Sequence, residues 1–517
     1  MKSFKLLFFV IIALVSSQTN CFSQFNEGDS AKFWSVTYND WPPLIGSPQR
    51  EVSAVCKKVG SHCYVFVEKT APQPTQSSID ALVNDFDNHY FDSLTSVYGP
   101  VPNVFDNDPK ICILVFNETD WAGYFDPGQQ MPDTMVYRIW NRHSNQREII
   151  YVSAGAFSIA NEIVTHEFGH MLHWQQDHSP EPILNPVKYW EDAWVDEGFS
   201  TFAAIYLTEN IYQHNVMDNE AFFATNPDKP LIYFSDYNQV KLFMLFMYEH
   251  YGRWNYISSL ISNQLNGIAG VNSTLNQLGY TTTFDDAFEQ WTIANYVDDS
   301  LYAEGKYSYA HYNFPAANIE TIHAVFPTNI MTKTVNPFGS DYVVFSSATP
   351  KSIVVDFSGQ TDSKYRVDFI LKNTIANQID TIIRMPLDAF NHGTFNIDSL
   401  GTTFNKAIMV IMNLDSSIQE NSVASYTYSA TLNTAIEKNE LHTKLSIFPN
   451  PTATILNVST RNNLWSQLEI RDVQGRLQWS ESFFNSSTID LSSFAKGVYF
   501  ISVINSNGVN KEKFVVN

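Results

Sequence analysis

Hydrophobic periodicity changes character once along this 517-residue chain, near Tyr309, so more than one kind of fold must be present. Before that point, "KICILVF" and "REIIYVSA" read as strands by length and β-branched content. Longer stretches with apolar residues three and four apart read as helices: "IDALVNDFDNHYFDSLTSVYG" with a closing turn, "NEIVTHEFGHMLHW", "KYWEDAWVDEGFSTFAAIYLTEN", "QVKLFMLFMYEHYG" and "TTTFDDAFEQWTIANYV". Three prolines at residues 179–186 separate the second helix from the third, and Gly252 suits the end of the fourth. After Tyr309, short runs such as "DYVVFSSA", "YRVDFILKN", "KAIMVIMNL" and "ASYTYSATL" alternate with turn residues, which predicts a β-sandwich or related all-β module. A polar and charged linker near residues 437–444 leads to a last small β domain.

At the N-terminus, Lys2 and Lys5 precede ten apolar residues at 6–15 and a small, polar exit, the pattern of a secretory signal peptide too short to span a bilayer stably. The division expected is a signal peptide at 1–24, an α+β domain at 25–315, an all-β accessory domain at 316–436 and a C-terminal β-sandwich at 444–517. Residues 25–101 form the N-terminal part of the α+β domain, with a propeptide over its cleft as the alternative reading. No other segment has the length and purity of a transmembrane helix, so the mature chain is expected to lack one.

Asp and Glu number 53 against 31 Lys and Arg, a formal charge of -22. A nucleic-acid surface needs a basic footprint, so this balance argues against one and suits protein or small-molecule partners. Removal of the signal peptide leaves Cys56, Cys63 and Cys112. The first two are close enough in sequence for a small looped disulfide, and Cys112 reads as a buried apolar residue.

Chemistry concentrates in "THEFGH". Residues four apart share a helix face, so His166 and His170 can offer imidazole nitrogens to one ion. Glu167, beside the first histidine, can take a proton from a water polarised by that ion without binding the ion itself. Zinc requires a third protein ligand and an open position. The metzincin spacing fails, because Gln176 stands where the third histidine belongs and His173 where a glycine belongs. Asp177 lies roughly 10 Å along the helix from His170, too far to share an ion. Glu197 lies 27 residues after His170, enough for a loop and a return helix, with Glu191 and Asp192 as acidic alternatives. Asp196 and His173 are candidates to support a ligating histidine from behind, His173 also being a weaker ligand candidate. A donor to the developing oxyanion is also needed; Tyr237 is the first candidate, Tyr206 the second, with Tyr248 and His250 after them. Asp106 and Asp108 are a candidate structural calcium pair or a simple turn.

"HEFGH" with the later Trp194-x-x-Glu197-Gly198 resembles the gluzincin superfamily of zinc metallopeptidases. More narrowly, "DNDPKICILVFN", "GYFDP", "REIIYVSA", "THEFGHMLHW", "WVDEGFS", "LFMLFMYEHYG" and "FDDAFEQWTIANY", in this order, are similar to the hyicolysin-type secreted bacterial metallopeptidases over residues 102–296. The resemblance implies an α+β zincin core with His166, His170 and Glu197 as zinc ligands and Glu167 as general base. One departure is Gly169, where family members often carry glutamine. "LSIFPNPTATILNV", "LEIRDVQGRL", "LSSFAKGVYFISV" and "KEKFVVN" resemble the type IX secretion sorting domain of Bacteroidetes over residues 445–517. That likeness implies export by the type IX machinery, with release or attachment at the cell surface.

The expectation is therefore a secreted zinc endopeptidase acting on extracellular proteins or peptides. Two rival readings are a surface adhesion or carbohydrate-binding protein around a vestigial hydrolase, and an aminopeptidase of the same superfamily. The second lacks a recognisable anchor for a substrate α-amine ahead of the helix.

Overall fold

The computed structural model describes residues 24–36, 48–102, 106–177, 191–208, 223–234, 236–310, 316–373, 379–433, 445–460, 465–505 and 508–517. The signal peptide through residue 23, the proline-rich break at 179–186 and the linker at 437–444 lie outside the described residues. Two compact units divide the chain, at 1–433 and 434–517.

The first unit opens with a six-stranded sheet: β1 (Ser30–Val36), β2 (Gln49–Val59), β3 (Cys63–Glu68), β4 (Ile111–Phe116), β5 (Gly123–Phe125) and β6 (Ile149–Ser153). Its order is β1-β2-β3-β4-β6-β5, with β3, β4 and β6 parallel and β5 antiparallel at one edge. Every residue of β3, β4 and β6 is buried, which explains why they read as continuous apolar runs rather than alternating ones. Val65, Ile113 and Val152 face the helices, while Phe66, Leu114 and Tyr151 face a second core on the far side.

Cys56 and Cys63 do not form the looped disulfide expected of them. Both are free and buried, and they point to opposite faces of the sheet, Cys63 into the helical core and Cys56 into the second core with Cys112. Burial pushes the Cys56 thiol up to about 12 and the Cys112 thiol to about 11, which leaves them inert.

Helices α1 (Gln76–Asp85), α2 (Phe91–Tyr98), α3 (Asp133–Trp140), α4 (Ala160–Asp177), α5 (Ala193–Thr208), α6 (Tyr237–His250), α7 (Trp254–Ile261), α8 (Gly267–Gln277) and α9 (Phe284–Val297) complete the helical part. On α4, Ile163, Val164, Phe168, Met171 and Leu172 are buried, the face its periodicity predicts. Residues 239–248 of α6 are all buried, and Gly252 adopts φ 108° just beyond its end. A reciprocal cap between Thr283 and Asp286 starts α9.

The later strands are β7 (Thr321–His323), β8 (Met331–Val335), β9 (Ser340–Ser346), β10 (Lys351–Gly359), β11 (Tyr365–Asn373), β12 (Ile379–Arg384), β13 (His392–Leu400), β14 (Phe404–Asn413) and β15 (Ala424–Leu432). They form one nine-stranded sheet, predominantly antiparallel, in which β14 pairs with both β11 and β9. Along β14, Ala407, Met409 and Ile411 enter the sheet's own core, whereas Ile408, Val410 and Met412 join the core of the helices. The module is therefore a wall of the helical part rather than a detached appendage. Arg366 reaches Glu289 of α9 at 2.6 Å and Asp286 at 2.8 Å across the same junction.

In the second unit, β16 (Ser446–Phe448), β17 (Ile455–Ser459) and β20 (Ser486–Asp490) form one sheet; β18 (Trp465–Asp472), β19 (Leu477–Phe484), β21 (Gly497–Asn505) and β22 (Gly508–Val516) form another. Leu456, Val458, Leu468, Ile470, Ile489, Ile501, Val503 and Phe514 fill its core. The chain is thus multidomain, with a mixed α/β part and β-sheet domains. Among the described residues, no helix is long and apolar enough to cross a membrane.

Candidate metal centre

His166 and His170 stand one turn apart on α4, with ring centroids 4.7 Å apart and nearly perpendicular planes. Their Nε2 atoms approach to 3.0 Å. Glu197, on α5, places Oε2 3.2 Å from His166 Nε2 and 3.6 Å from His170 Nε2. Glu197 is thus the acidic residue brought to the two histidines. Glu191 and Asp192 sit at the start of α8 instead, where Glu191 accepts from Gly267 N at 2.7 Å. Asp177 ends α4.

Close packing of α4 on α5 makes this convergence possible. A Cβ added at Gly169 would lie 3.2 Å from Ser200 Oγ and 3.3 Å from Ser200 Cα, so the absence of a side chain lets the helices approach. Tyr98 of α2 also fastens α5, donating to the Phe199 carbonyl at 3.0 Å. In the sequence Gly169 stands out only as a departure from the glutamine that family members often carry. Its signal was the glycine itself, which a helix interior normally disfavours by about 1 kcal/mol and which packing must therefore justify.

Asp196 reaches both His170 and His173. Its Oδ2 lies 3.0 Å from His170 Nδ1, and its Oδ1 lies 2.7 Å from His173 Nδ1. A proton held on His170 Nδ1 leaves the Nε2 lone pair facing His166 and Glu197. Two imidazole nitrogens and a carboxylate oxygen turned toward one point need a positive charge among them. Tetrahedral ligation at about 2.0–2.1 Å requires ligand atoms roughly 3.3 Å apart, which the three observed separations bracket. These residues fit a zinc ion.

The same groups also shift one another's protonation. Burial acts to raise the Glu197 carboxyl, but His170 and His166 outweigh it and bring it down to about 2. Burial is likewise overcome at Asp196, which His170 and His173 hold well below the usual carboxylate range. His170 shifts upward, its burial offset by Asp196 and Glu197. Glu167 is raised, first by its burial, although His166, His170 and a hydrogen bond with the Phe125 main chain act the other way.

Tyr237 opens α6 with its ring centroid 6.2 Å from that of His166, and it is 48 % exposed, so an incoming molecule can reach it. Burial, then Glu197 and Glu167, raise its hydroxyl. Tyr206 is not brought here: its hydroxyl lies 3.4 Å from that of Tyr248, and both rings pack on Trp254. His250 faces the Ser308 carbonyl at 2.9 Å. The carboxylates of Asp106 and Asp108 are engaged by protein donors, Asp108 by Tyr64 at 2.8 Å and by Lys110 N at 3.2 Å, and Asp106 by Asp108 N at 3.1 Å. That is the geometry of a turn, and it gives the calcium expectation no support. Unforeseen in the sequence was the edge strand β5, whose Phe125 main chain meets Glu167.

No curated protein matches the chain. Among solved structures, the pre-peptidase C-terminal domain of collagenase from Bacillus anthracis is 13% identical, covering 23% of this chain and 99% of that one at a TM-score of 0.17. The BSP domain of a biofilm associated protein is 8% identical, with 37% and 51% covered and a TM-score of 0.14. A β-glucuronidase of Faecalibacterium prausnitzii is 11% identical, with 36% of each chain covered and a TM-score of 0.15. The chain spans about half the length of the second structure and about a third of the third. Likenesses this slight carry no argument about activity. Residues 446–517 match the family described as a secretion system C-terminal sorting domain. That domain marks the protein for export by the type IX system, to the extracellular space or the cell surface, and implies interaction with the secretion machinery.

Proposed function

We propose that this protein is a secreted zinc endopeptidase of the gluzincin type. The observation that carries the reading is the convergence of His166, His170 and Glu197, whose ligand atoms all lie within 4.8 Å of one another. Zinc held by these three residues would polarise a scissile carbonyl and lower the pKa of the attacking water. Glu167, adjacent to His166 and outside the ligand set, takes the water's proton and returns it to the leaving amine. Tyr237 donates its hydroxyl to the oxyanion from the exposed side of the centre. Asp196 keeps His170 in the tautomer and orientation that ligation needs. The edge strand β5 brings the Phe125 main chain against Glu167, so the candidate base lies beside the rim of the described sheet.

The test is zinc analysis with cleavage of an unfolded protein substrate such as casein, on the full chain and on Glu167→Gln. Zinc near one per chain in both proteins, with cleavage lowered about a thousandfold in the variant, is the expected result. A zinc-loaded wild type that cleaves nothing, or a variant as active as the wild type, contradicts the reading.

A further inference from the structure

The segment leading into Tyr237 is fastened by the β domain. Asp236 caps α6, accepting from Asn238 N at 2.8 Å and Gln239 N at 3.2 Å, and it pairs with Lys229. Gln239 Nε2 donates back to the Lys229 carbonyl at 2.8 Å. Further upstream, Asn336 donates twice to Asp228, from its main-chain N to Oδ1 at 2.7 Å and from Nδ2 to the carbonyl at 2.9 Å. Leu231 N donates to the Phe338 carbonyl at 3.2 Å, and the Tyr233 hydroxyl donates to the Ile418 carbonyl.

The turn that makes these contacts is itself locked. Phe338 adopts φ 50°, a left-handed conformation disfavoured for any residue with a Cβ, and its ring packs on Phe284 at 5.0 Å and Phe288 at 5.2 Å. A Cβ at Gly339 would meet Asp228 Oδ1 at 2.4 Å, so a larger residue there would force the joint open. At the other end, the Phe234 ring meets the Tyr237 ring edge-on at 4.8 Å, and Tyr237 in turn faces His166.

We propose that the β domain is a working part of the candidate site: through Asn336, Phe338 and the Ile418 carbonyl it holds residues 228–234 and thereby positions the Tyr237 hydroxyl over the metal centre. This inference rests on the peptidase reading for the chemistry that Tyr237 performs. Residues 228–234 include no strand, and external hydrogen bonds spare the chain the ordering cost that would otherwise fall when substrate arrives. Asn336 and Tyr233 are positioning residues.

The experiment uses the zinc-loaded full chain and compares Asn336→Ala and Tyr233→Phe, each alone and combined with Tyr237→Phe. Readouts are kcat and KM on a peptide, and hydrogen exchange of the amides at 229–238 without substrate. Each single change should lower kcat about tenfold with KM within about twofold, because a small displacement of a reacting group costs rate more than binding. In the Tyr237→Phe background the further loss should fall below about twofold, since the group to be positioned is gone. Exchange at 229–238 should quicken about tenfold in Asn336→Ala while α4 keeps its protection. Equal fractional losses in both backgrounds, or unchanged exchange, overturn the proposal. A wild type that hydrolyses no peptide overturns the peptidase reading instead, and the exchange result then decides for or against the grip alone.

Discussion

Replacing Asp196 by asparagine keeps the side chain's shape but removes one of two acceptors, and the consequence follows from two distances. Asp196 gives a separate oxygen to His170 Nδ1 at 3.0 Å and to His173 Nδ1 at 2.7 Å. An amide has one acceptor oxygen and one donor nitrogen, so it can accept from only one of these two rings. The shorter contact favours His173, leaving His170 facing an N–H donor and pressed toward the wrong tautomer. Loss of such a partner typically lowers metal affinity 10- to 100-fold, or about 1.4–2.7 kcal/mol. Zinc competition against a chromophoric chelator, at pH 7.5 on the full chain, measures this directly. The variant His173→Ala supplies the control, because it frees the amide oxygen for His170 and should restore most of the affinity lost in Asp196→Asn. Affinity within twofold of wild type in Asp196→Asn, or no recovery in the double variant, would overturn this role for Asp196.

Two further outcomes are expected. Tyr237→Phe should lower kcat roughly a hundredfold with zinc retained, whereas Tyr206→Phe should change it less than twofold, because the Tyr206 ring packs on Trp254 and its hydroxyl lies 3.4 Å from that of Tyr248; steady-state kinetics on one peptide separates them. Glu68, 5 % exposed, is gripped by Arg50 at 2.8 and 3.0 Å and by Asn117 N at 2.8 Å, and against the upward effect of burial these hold it at about 2. A depressed folded pKa stabilises above the unfolded value and is lost as pH falls through the folded one, so about 3 kcal/mol should disappear between about pH 5 and pH 2. Urea unfolding across that window should show the loss, and Glu68→Gln should flatten it; equal pH slopes in the two proteins would contradict this.

The legible parts of the centre were those set by one helix. His166, Glu167 and His170 are fixed by the 3.6-residue repeat, so their spacing in the chain is also their spacing in space. Glu197 was narrower than a guess, since a return helix must bring its acid back, but its choice over Glu191 depends on where α8 begins, which no local pattern states. Cys56 and Cys63 misled because sequence proximity says nothing about which sheet face a side chain takes, and a bulge between Cys56 and Lys58 shifts the register of β2 against β3. Tyr237 ranks ahead of Tyr206 in the sequence only by its place just before a helix, and tertiary packing is what separates them. The apolar run of β14 did carry information that was overlooked: residues of both parities are apolar, which is how a strand buried on both faces reads, and that is why the β module is joined to the helical core.

The most direct trial of the account is zinc-edge X-ray absorption and metal stoichiometry on the full chain, beside Glu197→Ala. One zinc per chain with two imidazole ligands and one carboxylate in the wild type, and loss of most bound metal in the variant, is the predicted result. Full zinc occupancy in Glu197→Ala, or a wild type that takes up no stoichiometric zinc, would contradict it.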